Sequence, residues 1–88
     1  MTIEEFADVV CRDLIIRRYS NQNNRYLAEF ERAEIKDGIL LIGKYGTGNS
    51  PSAAIEDYVK SIRGKCIVFD AYNNARSEFY VPNNLTAS

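Results

Sequence analysis

The chain contains no histidine, which removes the usual general base, the Cys–His and Ser–His nucleophile pairs and the commonest zinc ligand. Cysteine occurs only at Cys11 and Cys66. The two lie far apart in patterns that read as buried, so they are expected to be core thiols of a protein in a reducing cytoplasm. No apolar run approaches the roughly 20 residues that span a bilayer. The N-terminus also lacks the basic, apolar and small-residue regions of a signal peptide. An excess of one charge is missing too: 11 Lys and Arg stand against 12 Asp and Glu, a net charge of −1. That balance gives no global electrostatic case for nucleic acid or an acidic membrane as partner.

Other absences narrow the chemistry further. The spacing G-x-x-x-x-G through Gly43 and Gly48 would suit a phosphate-binding loop, but Asn49 stands where the lysine should be, so the phosphates lose their main side-chain partner. Gly46-x-Gly48 lacks the third glycine of a dinucleotide fingerprint. Of the carboxylate pairs, Glu29/Glu31 are accounted for by a solvated sheet face, the adjacent helical pairs Glu4/Glu5 and Glu56/Asp57 point in different directions, and no calcium-loop spacing occurs. The expectation is a chain without catalytic residues, metal or cofactor, and not an enzyme.

What the chain does have is a junction, Gly43 to Pro51, where a strand pattern hands over to a helix pattern. Ile39-Leu40-Leu41-Ile42 before it is short, bulky and flanked by turn signals. After it Ala54, Ile55, Tyr58, Val59 and Ile62 recur at helical spacing. Ser50 suits the N-cap and Pro51 the first helical position, and the glycines read as a tight turn that lets the backbone bend or approach a partner closely. Gly64 is placed to end this helix in the left-handed conformation.

Around that junction the rest of the chain falls into order. Thr2 and Glu5 form a capping-box pattern ahead of the stripe Ile3, Phe6, Ala7 and Val10, which predicts a helix over 3–11. Leu14 to Tyr19 reads as a strand, 20–24 as a polar loop, and Tyr26 to Glu31 as a second strand with Tyr26, Ala28 and Phe30 on one face. Asp37-Gly38 predicts a type I′ hairpin turn into a third strand, Ile39 to about Lys44. Cys66 to Ala71 and 79–81 complete the strands. The fold class is α+β, in the order α-β-β-β-α-β-β, with an antiparallel sheet and two helices packed on one face. Residues 1–82 form a single domain and 83–88 a flexible C-terminal tail. The core is expected to contain Phe6, Val10, Ile16, Phe30, Leu41, Ile55, Tyr58, Val59, Ile62 and Val68.

Basic residues collect near the first strand. Arg12, Arg17, Arg18 and Arg25 have only Asp13 among them, and Tyr19 and Tyr26 flank the loop. Arginine with tyrosine can hold a phosphate backbone and stack bases, or anchor a protein interface. Net charge favours the protein partner. The candidate binding residues are therefore Arg17, Arg18, Tyr19, Arg25 and Tyr26. Gly46, Thr47, Gly48 and Asn49 in the glycine turn form a second candidate.

The same junction carries three resemblances. Gly46-Thr47-Gly48-Asn49-Ser50 with Ala54 resembles the G-x-G-x-S turn entering the second helix of double-stranded-RNA-binding domains. The lysines that follow in that family are replaced here by Pro51, Ser52 and Ile55. Glycine, Ser50, Ala54 and Ile55 also resemble the turn and helix of HicB-like antitoxins, which implies a module that binds a small toxin. Over 43–82, G-x-G-x-S-P-x-x-A-I-x-D-Y followed by G-K-x-x-V-F-x-A looks like small phage and prophage proteins. That last resemblance implies a phage-derived inhibitor in the host cytoplasm, binding a host defence protein such as a CRISPR effector. An exposed edge strand would also allow a homodimer.

Overall fold

The computed structural model describes residues 1–18 and 25–88. Its elements are α1 (Ile3–Val10), β1 (Leu14–Arg18), β2 (Tyr26–Phe30), β3 (Ala33–Asp37), β4 (Leu40–Ile42), β5 (Gly46–Gly48), α2 (Pro51–Ile62), β6 (Cys66–Phe69) and β7 (Ser77–Tyr80). The α+β class and the helix, strands, helix, strands order are as the sequence predicts. Five strands rather than three lie between the helices, because two long strands each break in the middle.

Those broken strands are the two arms of one antiparallel hairpin. Its lower half pairs Tyr26 with Gly48 and Ala28 with Gly46; its upper half pairs Ile35 with Ile42 and Asp37 with Leu40. Between Ala28↔Gly46 and Ile35↔Ile42 one arm has the six residues 29–34 and the other the three residues 43–45. The surplus is absorbed at Glu31–Arg32, where Arg32 takes a left-handed φ of 55°. An unequal insertion of this kind bends a ladder and ends its pairing. The sheet therefore divides in two, β1-β2-β5 and β4-β3-β6-β7, antiparallel throughout.

The hairpin turn sits one residue later than Asp37-Gly38 predicts. Gly38 and Ile39 are the central pair, with φ positive at Gly38 (64°) only. This is the II′ pattern, which needs glycine at the first central position.

Both helices feed a single core. Ile3, Phe6 and Val10 of α1 and Ala54, Tyr58, Val59 and Ile62 of α2 meet Ala28, Phe30, Ile35, Ile67 and Phe69. At α1 the expected capping box forms, with the Thr2 hydroxyl accepting from Glu5 N–H and the Glu5 carboxylate from Thr2 N–H. At α2 Ser50 Oγ accepts from Ala53 N–H at 3.1 Å and Gly64 takes φ 72° after the last turn. Phe30 is the hub. Its ring meets Phe6, Tyr58 and Phe69 edge-on at 6.1, 6.0 and 5.7 Å, the arrangement the ring quadrupoles favour. The Tyr58 hydroxyl accepts from Phe30 N–H at 3.1 Å, and burial pushes its pKa to about 12.

Several expectations need correction. Ile16 is 38% exposed, because α2 packs over β5 and β2 and leaves β1 uncovered. Leu41 is only half-buried: it faces Lys36 on the outer side, while Ile35 takes the inward position. Cys11 is exposed, in the left-handed position that ends α1. Residues 83–88 are not a loose tail. Leu85 is fully buried, Ile3 N–H donates to Thr86 C=O at 2.8 Å, and Thr86 N–H donates to Met1 C=O at 3.0 Å. The segment closes the core beside α1.

Candidate interaction site

Among the described residues β1 is the outermost strand of its sheet, paired on one side only, with β2. Its outer backbone edge is thus open to a partner strand. In the register, Arg18 lies opposite Tyr26 and Arg17 opposite Leu27. Successive strand residues point to opposite faces, so the two arginines straddle the edge, with Arg25 beside them at the start of β2. All three are exposed, and among the described residues none forms an ion pair. Ile16 adds an apolar step to the same edge.

The structure therefore brings Arg17, Arg18, Arg25 and Tyr26 together, but in two different states. Tyr26 is half-buried and packs against the core, on the face it shares with Ala28 and Phe30. It supports the edge and does not project from it. Tyr19, with the polar loop that follows it, lies outside the described residues. Arg12, grouped with these arginines in the sequence, is engaged elsewhere.

The second candidate is a packing device. Residues 46–48 form a strand, not a tight turn, and α2 lies directly on it. A Cβ on Gly46 would overlap the Ala54 carbonyl oxygen and Tyr58 N, with Tyr58 Cα at 2.7 Å; one on Gly48 would come within 2.7 Å of Ala54 N. Only glycine permits that approach. Thr47 N–H donates to Asp57 Oδ2 at 2.9 Å, which closes this edge of the sheet from the helix side. Of the four residues, only Asn49 is exposed.

One cluster escaped the sequence reading. Asp70, buried at 8% exposure, receives Arg12 Nη2 at 2.7 Å and Arg32 Nε at 2.8 Å. The Arg12 guanidinium also lies 4.9 Å from the centre of the Phe69 ring, a favourable cation–π distance. Among the described residues, the three non-glycine residues with left-handed φ are Cys11, Arg32 and Asp70, at 56°, 55° and 50°. They sit where α1 leads to β1, where β2 breaks from β3, and where β6 ends. The triad therefore clamps the bend between the two sheets. A lone acid at the end of the apolar run Cys66–Phe69 was the available signal, since a carboxylate there needs a cationic partner.

Hydrogen bonding from Arg12, reinforced by Asn73, holds the Asp70 carboxyl below its ordinary range against the opposing pull of burial. A depressed folded-state pKa means stability that is present above the unfolded value, about 3.9, and lost as pH falls through the folded value. Asp70→Asn is expected to lower the melting temperature at neutral pH by about 5–10 °C. The gap from wild type should narrow below about pH 4, where wild type loses the same interaction. Thermal melts across the acid range check both. Glu5, held down by Thr2, and Glu78, held down by Lys36 and then Arg76, act in the same direction, so the variant keeps a residual acid slope.

Among the described residues no helix is long and apolar enough to cross a membrane. No protein-family model, curated protein or solved structure matches the chain.

Proposed function

We propose that this chain is a non-catalytic binding protein that engages an acidic surface of a protein partner through the open edge of β1. The observation that carries the reading is one strand edge with Arg17, Arg18 and Arg25 uncovered and unpaired among the described residues, and with Ile16 exposed beside them. Strand addition supplies main-chain hydrogen bonds, and the flanking arginines supply charge complementarity and anchors. The resemblance of residues 43–82 to small phage proteins directs the search for that partner to host defence proteins, CRISPR effectors first. HicB-like toxin binding through the same edge is the alternative, with a small ribonuclease as partner.

Arg17→Glu with Arg18→Glu is the decisive variant. Both side chains are exposed, so the melting temperature should stay within a few degrees of wild type. Reversing two anchor charges is expected to weaken capture of the partner about 100-fold or more. Quantitative mass spectrometry of pull-downs from host lysate, wild type against variant, reads this out. Equal recovery of every partner by both proteins contradicts the proposal. The same arginines also favour nucleic acid as a second reading. Its signature is affinity that falls steeply with salt, with a slope set by the phosphates neutralised.

A further inference from the structure

Strand residues alternate between the two faces of a sheet, so the register of β1-β2-β5 sorts its side chains into two sets. Leu14, Ile16 and Arg18 lie opposite Phe30, Ala28 and Tyr26, and Ala28 lies opposite Gly46. This set shares the side on which α1 and α2 pack, since Phe6 and Tyr58 both meet Phe30. Ile15 and Arg17 lie opposite Glu29 and Leu27, and Leu27 opposite Thr47, on the other side. Arg25, two residues before Leu27, continues the same alternation. Among the described residues no helix packs on this second face. Ile15, Leu27 and Thr47 are half-buried on it, and Arg17 and Arg25 are exposed at its border.

The two sides differ in charge. On the helix side α1 exposes Glu4, Glu5 and Asp8 and contains no basic residue. There α2 exposes Glu56 and Asp57 against Lys60, with Arg63 at its end. On the bare side Arg17 and Arg25 border an aliphatic strip in which Glu29 is the one acid. We propose that the acidic protein partner added at β1 lies over this helix-free face, with Ile15, Leu27 and Thr47 as its floor and Arg17 and Arg25 as its charged rim. The inference rests on β1 as the binding edge, and it adds the side of the sheet that the partner covers. Charge complementarity selects the occupant. An acidic surface is drawn to two guanidiniums that have no ion-pair partner among the described residues, and is repelled by the carboxylates of the helix layer. An apolar centre with an arginine rim is also the composition of a protein interface. Aliphatic side chains offer bases no aromatic platform, which argues against nucleic acid on this face. Arg18, on the helix side with Ile16, then contributes less than Arg17.

Poly-L-glutamate serves as the acidic probe and oligouridylate as the nucleic-acid control, each titrated into the isotope-labelled full chain at low salt, where screening is weak. In amide NMR spectra Ile15, Arg17, Arg25, Leu27 and Thr47 should shift with poly-L-glutamate, while α1 and the exposed face of α2 stay in place. Arg17→Glu and Arg25→Glu should each weaken that binding about 5-fold or more, and Arg18→Glu by under about 2-fold. All three side chains are exposed, so melting temperatures near wild type should show the variants folded. Equal losses from Arg17→Glu and Arg18→Glu, or shifts confined to Ile16, Arg18 and the helices, overturn the proposal and leave β1 standing as the edge. No shift in β1 and no loss with any of the three variants overturns both readings. Oligouridylate binding more tightly than poly-L-glutamate at the same salt also overturns it, in favour of nucleic acid.

Discussion

Gly46→Ala is expected to cost about 4 kcal/mol or more, comparable with the whole stability of a marginal domain of this size. The added methyl has nowhere to go. It would overlap the Ala54 carbonyl oxygen and the Tyr58 amide nitrogen, both main-chain atoms of α2, so no side-chain rotation relieves the clash. Either α2 lifts from β5 or β5 leaves β2. Lifting α2 uncovers Ala54, Tyr58 and Ile62 together, all 1% exposed or less. Gly43→Ala is the control, three residues earlier in the same connection. Nothing lies within 4 Å of a Cβ there, and the change should stay within about 0.5 kcal/mol. Urea unfolding of the two variants beside wild type measures the difference.

Leu85→Ala should cost about 2–5 kcal/mol, the range for deleting a fully buried leucine side chain. A side chain on a free tail would contribute under about 0.5 kcal/mol. Leu85 is wholly buried and lies in the same core cluster as Ile3, Val59 and Val81. Thr86→Ala separates packing from hydrogen bonding: Thr86 is exposed, and its bonds to Ile3 and Met1 use only its backbone. It should therefore be nearly neutral in the same denaturant titration, within about 0.5 kcal/mol.

Most local signals in the sequence were sound where one short stretch decides the outcome, although Asp37-Gly38 put the hairpin turn one residue early. The Thr2–Glu5 box, the Ser50-Pro51 start of α2 and the Gly64 stop each depend on a single turn of chain, and each forms. The apolar stripes placed Phe6, Val10, Tyr58, Val59 and Ile62 correctly for the same reason. Ile16 and Leu85 were misjudged because their burial depends on where distant elements lie. Ile16 has a good strand pattern but no helix above it, and Leu85 has a polar neighbourhood but a gap beside α1 to fill. The glycines of the junction were read as a tight turn that bends or approaches a partner; that they form a strand and that the partner they approach is α2 follow only from the three-dimensional packing. The Arg12–Asp70–Arg32 clamp was hidden by separations of 58 and 38 residues to its acid. Arg12 was consequently assigned to the basic edge. That edge is smaller than the sequence suggests, with Arg12 engaged by Asp70 and Tyr26 turned to the core, but its three remaining arginines stand open.

Backbone hydrogen exchange on the complex with the captured partner tests the edge-strand account most directly. Strand addition at β1 predicts that amides of Leu14–Arg18 slow markedly on binding while those of β6 and α2 change little, and that Arg17→Glu with Arg18→Glu removes the effect. Protection appearing instead at β7, at α2 or in the Gly46–Gly48 strand, with β1 amides exchanging as in the free chain, would contradict it.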